Sequence, residues 1–146
     1  EAPNHTWLSD ITYVPTQQGW LYLAVVLDLY ARRVVGWAME SYLADLLTRK
    51  ALKMALRRRQ PAPALLHHSD RGIQYASLDY RKLLLSNKAA ISMCRKGDVL
   101  DNAPMESFYA TLKKELVHRH NYQTRKEAVS SIFEYIEGFY NPVRIH

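Results

Sequence analysis

The stretch TWLSDITYV, residues 6–14, constrains the fold more than any other. Both alternating sets around Asp10 are apolar, Trp7, Ile11 and Tyr13 in one and Leu8 and Val14 in the other. A strand with two apolar faces belongs in the middle of a sheet that is covered on both sides. A lone carboxylate at such a place is costly unless something compensates it, which makes Asp10 a candidate functional group.

The neighbouring segments extend the sheet. PTQQG reads as a turn, WLYLAVVLDLY (20–30) as a second strand and RRVVGWAME (32–40) as a third, and their short connections predict an antiparallel meander. The period then changes. Leu47, Ala51, Met54 and Ala55 recur at helical spacing over 44–59, with Arg49, Lys50, Lys53 and Arg57 toward another side and PAP as a stop. ALLHHS (64–69), reached through that helix, reads as a fourth strand parallel to its neighbour. A helix over 77–87 with Ser77 as its N-cap and a fifth strand over 89–94 follow.

Beyond a polar loop, residues 103–118 read as a helix capped by Asp101 or Asn102, with Pro104 in its first turn and Met105, Tyr109, Leu112 and Leu116 as its packing stripe. Thr124 and Glu127 stand at capping-box spacing before a last helix. Its packed face is Ala128, Ile132, Tyr135, Ile136 and Phe139, and Asn141-Pro142 ends it. The expectation is an α/β domain with a mixed five-stranded sheet, three antiparallel then two parallel strands, flanked by helices.

Composition narrows the function classes. The 146 residues suffice for one domain, and the longest apolar run, residues 20–27, is too short to span a bilayer. No secretory signal precedes it, and a chain opening on Glu1 is expected to be a fragment. The lone Cys94 has no disulfide partner, suits a cytosolic setting and reads as a small buried hydrophobe. A net charge of +6 points to a polyanionic partner, most commonly nucleic acid.

Side chains at strand ends and helix starts meet across a crevice in such sheets. Asp10, Asp70 at the end of the fourth strand and Glu106 in a first helical turn are the candidates, each with a plainer reading as a surface, turn or dipole-complementing residue. Taken together, converging carboxylates require a cation, and hard oxygen donors select Mg²⁺ or Mn²⁺. A pair of such ions about 4 Å apart supports phosphodiester displacement. Lys113, two turns beyond Glu106 on the same helix side, is placed to hold a phosphate, with Lys114 beside it.

Rival constellations are weaker. His67 and His68 are adjacent on a strand and point to opposite faces, which excludes a shared zinc ion. His118 and His120 read as surface residues at a helix C-terminus. Ser9, Ser69 and Ser107 lack the surroundings of a nucleophile, Asp28 reads as a buried polar residue near a strand end, and Asp101 as a cap.

The stretches WLSDITYVPT, GWLYLAVVLDLYARRVVGWAM, HHSDRGIQY, SMCRKGDVLDNAPMESFYATLKKEL and YIEGFYNPVRIH carry a family resemblance. The chain resembles the integrase catalytic core of bacterial insertion-sequence transposases, the DDE class related to retroviral integrases, of the type encoded by the second reading frame (OrfB). Asp70 and Glu106 have 35 residues between them, the interval of the family's D,D(35)E pattern.

The resemblance implies a ribonuclease H-like fold, with Asp10, Asp70 and Glu106 as the catalytic triad holding two Mg²⁺ or Mn²⁺ ions. It implies strand cleavage at transposon ends, then attack of the freed 3′-hydroxyl on target DNA, with no small-molecule cofactor. Expected DNA contacts are Lys113, Lys114, Arg71, Gln74, Tyr75, Arg95 and Lys96. It further implies a homodimer or higher oligomer in the bacterial cytoplasm, associated with the nucleoid. Full-length relatives carry an upstream helix-turn-helix region that this chain is expected to lack, together with the extreme C-terminus. The alternative is a catalytically silent DNA-binding or assembly remnant of a transposase.

Overall fold

The computed structural model describes residues 5–61, 65–69, 77–87, 89–93 and 103–143. Its elements in chain order are β1 (Thr6–Thr16), β2 (Gly19–Asp28), β3 (Arg33–Glu40), α1 (Asp45–Arg59), β4 (Leu66–Ser69), α2 (Leu78–Ser86), β5 (Ala90–Met93), α3 (Ala103–Glu115) and α4 (Arg125–Phe133). A 3₁₀ turn (Val117–Arg119) separates α3 from α4, and a π-helical stretch (Glu134–Tyr140) with a final turn (Asn141–Val143) continues α4.

The strands form one sheet in the order β3-β2-β1-β4-β5. β1 and β2 pair antiparallel, as do β2 and β3, whereas β4 lies parallel to both β1 and β5. β1 is therefore central. Its two apolar sets feed two cores. Leu8 and Val14 join Leu23, Val25, Met105, Phe108, Leu112, Ile132 and Ile136 on the α3/α4 side. Trp7 joins Val26, Leu47, Ala51, Leu52, Ala55, Tyr80 and Leu84 on the α1/α2 side. Each such aliphatic side chain, fully removed from water, contributes about 1.5–3 kcal/mol.

Local chemistry explains the joints. The turn after β1 is tighter than PTQQG suggests, because Thr16 pairs with Gly19 and only Gln17 and Gln18 lie between them. Pro15 sits inside the strand, which is tolerated because among the described residues β4 pairs with β1 only through Thr6 to Ser9. Gly19 takes φ +118°, a conformation that suits glycine. β2 stops at Asp28 rather than running to residue 30. The buried Asp28 carboxylate accepts the Tyr30 N–H at 3.1 Å and turns the chain.

Gly36 on β3 is where α1 comes closest. A Cβ there would collide with the Ala51 carbonyl oxygen and sit 2.8 Å from both Ala55 N and Ala55 Cβ. The two helices on this side are joined at their starts: Ser77 accepts the Tyr80 N–H at 3.1 Å as the cap of α2 and donates to Asp45 in the first turn of α1.

Two helical faces differ from their sequence reading. Phe108, not Tyr109, is the fully buried aromatic of α3, and the helix ends at Glu115, so Val117 is buried from a 3₁₀ turn rather than from a continued stripe. In the last helix, Ala128, Ile132, Tyr135 and Ile136 are buried as expected, but Phe139 is exposed and Tyr140 takes the inner place. The wider π-helical turn shifts the phase by one residue. This segment is tied to the sheet edge. Val34 N donates to Asn141 Oδ1 at 3.0 Å, Asn141 Nδ2 donates to the Val34 carbonyl at 2.9 Å, and Trp37 Nε1 donates to Glu137 at 2.6 Å.

Candidate active site where the pairing of β1 and β4 stops

Ser9 is the last residue of β1 paired with β4, and its partner is Ser69, the last residue of β4. Asp10 is the next residue along β1, half-buried and opposite Val25 of β2. Period-two alternation puts Asp10 on the same sheet face as Leu8 and Val14, the face that α3 covers. Asp70, the residue after Ser69, lies outside the described residues.

α3 is anchored on that face by Met105, Phe108 and Leu112, and Glu106, in its first turn, is left exposed. Its position suits a carboxylate, because the unpaired N–H groups of a helix start favour negative charge. Asp10 and Glu106 thus belong to elements packed on one side of the sheet. Among the described residues no three His, Cys, Asp or Glu side chains gather closely enough to hold a metal ion.

Behind Asp10, on the opposite face, lies a hydrogen-bonded set that the sequence did not announce. Ser9 Oγ is 2.8 Å from His67 Nε2, which is also 2.7 Å from the Tyr80 hydroxyl. The Tyr80 hydroxyl lies 3.4 Å from Ser9 Oγ. All three residues are fully buried. Burial pushes the His67 imidazole down to about 3, so the ring is neutral, and burial pushes the Tyr80 phenol upward. The set links β1, β4 and α2 at the level where Asp10 begins. The only sequence signal for it was polarity, Ser9 and His67 inside otherwise apolar strands, read above as a failed nucleophile and a failed metal ligand.

His67 and His68 do part to opposite faces, His67 toward Tyr80 and His68 in register with Leu8, and both are buried. Asp28 is occupied in its turn. His120 is exposed, donates from Nδ1 to the Leu116 carbonyl at 2.8 Å and stacks on Tyr122. Lys113 is half-buried, with its ammonium 6.0 Å from the centre of the Tyr13 ring, and Lys114 is exposed. Arg71, Gln74, Tyr75, Arg95 and Lys96, like Cys94 and Asp101, lie outside the described residues.

Profiles described as integrase core domain match residues 1–99 and 106–146. The chain belongs to the integrase core domain family. This integrase core is 48% identical over 145 residues to the transposase for insertion sequence element IS904 of Lactococcus lactis subsp. lactis (strain IL1403), covering 99% of this chain and 57% of the relative. It is 44% identical to the transposase InsF for insertion sequence IS3A of Escherichia coli (strain K12), covering 99% of this chain and 50% of the relative. The chain thus spans about half the length of the relatives it matches.

Solved structures give the same fold at low identity. The catalytic core domain of HTLV-2 integrase in complex with magnesium matches with a TM-score of 0.69 at 16% identity, covering 92% of this chain and 88% of that one. A chain of the simian T-cell lymphotropic virus intasome matches with a TM-score of 0.75, also at 16% identity, covering 99% of this chain and 50% of that one. Among the described residues no helix of this integrase core is long and apolar enough to cross a membrane.

Proposed function

We propose that this integrase core is the catalytic part of a bacterial insertion-sequence transposase, a ribonuclease H-like polynucleotidyl transferase that acts on DNA. The observation that carries the reading is the register of Ser9 with Ser69. In sequence an aspartate follows each of these serines, and Glu106 lies in the first turn of the helix that packs on the Asp10 face.

The donor set fits hard cations, since every candidate ligand is a carboxylate oxygen. Asp10, Asp70 and Glu106 would hold two Mg²⁺ or Mn²⁺ ions. When bound, these supply Lewis acidity for a water or 3′-hydroxyl nucleophile and for the leaving oxygen of a phosphodiester. The reaction is hydrolytic cleavage at transposon ends, followed by attack of the freed 3′-hydroxyl on target DNA with no covalent enzyme intermediate.

The chain's own residues bind and orient. Lys113 and Lys114 attract phosphates, and Arg71, Gln74, Tyr75, Arg95 and Lys96 complete the DNA path. The neutral Ser9, His67 and Tyr80 set ties β1 to β4 at the residue before Asp10. Paired DNA ends call for a dimer or larger assembly, and the place of action is the cytoplasm, at the nucleoid.

Asp70→Asn tests the assignment on a DNA substrate with Mn²⁺. Nicking and joining should be lost while the circular dichroism spectrum and Tm stay unchanged. Undiminished activity in a folded variant would overturn the role of Asp70, and salt-sensitive DNA binding without any nicking by the parent chain would favour the silent-remnant reading.

A further inference from the structure

Two exposed aromatic rings lie at the far end of β1. Tyr13 is 53% exposed and Trp20 49%. Their centroids are 4.9 Å apart in an edge-to-face arrangement, and Tyr13 also meets Tyr22, its partner in β2, at 6.2 Å. The Lys113 ammonium stands 6.0 Å from the Tyr13 ring centre. Among the described residues neither Lys113 nor Lys114 forms an ion pair with a carboxylate.

The hairpin does not depend on these rings for its shape, because polar contacts already fix it. Gln17 N donates to the Tyr122 carbonyl at 2.9 Å, and Gln17 Nε2 donates to Asn121 Oδ1 at 2.9 Å. Arg125 N donates to Gln18 Oε1 and Arg125 Nε to the Trp20 carbonyl, both at 2.9 Å. The two rings are held on a rigid support with about half their surface in water.

Their position relative to the carboxylates is set by the fold. Tyr13 is three residues beyond Asp10, about 10 Å along a strand, and alternation turns its ring, like those of Tyr22 and Trp20, to the α1/α2 face opposite Asp10. Lys113 is seven residues beyond Glu106, about 10 Å along a helix. Lys113, on α3, comes to 6.0 Å from the Tyr13 ring centre in the part of β1 beyond Ser9, which β4 leaves unpaired among the described residues. A DNA strand leaving the carboxylates would pass this edge of β1 to meet the rings, about three base steps away along the strand axis at the B-form rise of about 3.4 Å.

We propose that Tyr13 and Trp20 form a stacking platform for an unpaired base of the DNA strand, with Lys113 neutralising a phosphate beside it. Charge complementarity selects the occupant, since the chain carries a net charge of +6 and the aromatic pair adjoins a lysine with no carboxylate partner in ion-pair reach among the described residues. Base stacking on aromatic rings tolerates any sequence, which suits a surface that meets both element and target DNA. The proposal rests on the reading of the site as one that processes a DNA strand, and it names the part of that strand held here.

The test compares binding of single-stranded oligothymidylate and of a blunt duplex to the 146-residue chain without divalent metal. Tyr13→Ala combined with Trp20→Ala should weaken oligothymidylate binding about tenfold and blunt-duplex binding by about twofold or less, with the salt slope unchanged. Tyr13→Phe combined with Trp20→Phe keeps both rings and should restore the single-strand affinity. Trp20→Phe alone should remove most of the tryptophan-fluorescence quenching caused by oligothymidylate. Equal losses on both ligands, unchanged single-strand binding, or failure of the double phenylalanine variant to restore it would each overturn the platform. No metal enters this measurement, so its failure leaves the Mn²⁺-dependent nicking test of Asp70→Asn untouched, and failure of that test leaves stacking measurable.

Discussion

Ser9 Oγ and His67 Nε2 are 2.8 Å apart across the β1–β4 pairing, with both side chains fully buried, one residue before Asp10. This contact ties the pH response of the fold to the point of β1 beside the candidate carboxylate. In the unfolded chain the imidazole protonates near 6.5, and in the fold near 3. Between these values only the unfolded state holds the proton, so falling pH favours unfolding. The stability His67 confers is complete above pH 6.5 and is lost on acidification at about 1.4 kcal/mol per pH unit. Urea denaturation at pH 6 and pH 4.5 should show this slope, and His67→Gln should flatten it.

Gly36→Ala forces a methyl group onto the Ala51 carbonyl and within 2.8 Å of the Ala55 backbone nitrogen. The obstacle is helix backbone, which cannot rotate away as a side chain would. We expect a loss of about 3 kcal/mol or more, at the upper end of overpacking costs, measured as a lower urea midpoint with an unchanged m-value.

Asn141 satisfies both backbone groups of Val34 on the edge strand β3, imitating a neighbouring strand. Asn141→Ala should cost about 1–2 kcal/mol for two lost hydrogen bonds at a half-buried site. Hydrogen exchange at the Val34 amide should accelerate by more than the global loss of stability accounts for. Asn141→Asp keeps the acceptor for Val34 N and should recover part of that protection.

Lys113→Ala removes a cation near the Tyr13 ring without disturbing the core. DNA affinity should fall for every sequence alike, and the slope of log affinity against log salt should lose about one ion. A loss confined to one sequence, or an unchanged slope, would mean that Lys113 touches no phosphate.

Much of the domain was legible because it is encoded by near neighbours in the chain. The alternation around Asp10 announced a central strand, and Leu47, Ala51 and Ala55 marked the inner face of α1. Ser77 and Thr124 cap their helices by accepting the Tyr80 and Glu127 N–H groups, as their spacing required. The exchange of Phe139 for Tyr140 was not legible, since a π-helical turn inserts one residue into a pattern that every periodicity argument assumes to be regular. Gly36 carried no signal either, because what it avoids lies on another element.

By itself the sequence determined the period of each segment, the order of strands and helices, the carboxylate spacing and the family motifs, all properties of residues close together or simply present. Only the tertiary structure decided that Ser9 meets Ser69, that His67 stays neutral between Ser9 and Tyr80, and that Lys113 reaches Tyr13. These depend on strand register, on desolvation and on the seating of α3 against the sheet. Each of these is settled by contacts between residues distant in sequence, which no local pattern of side chains specifies.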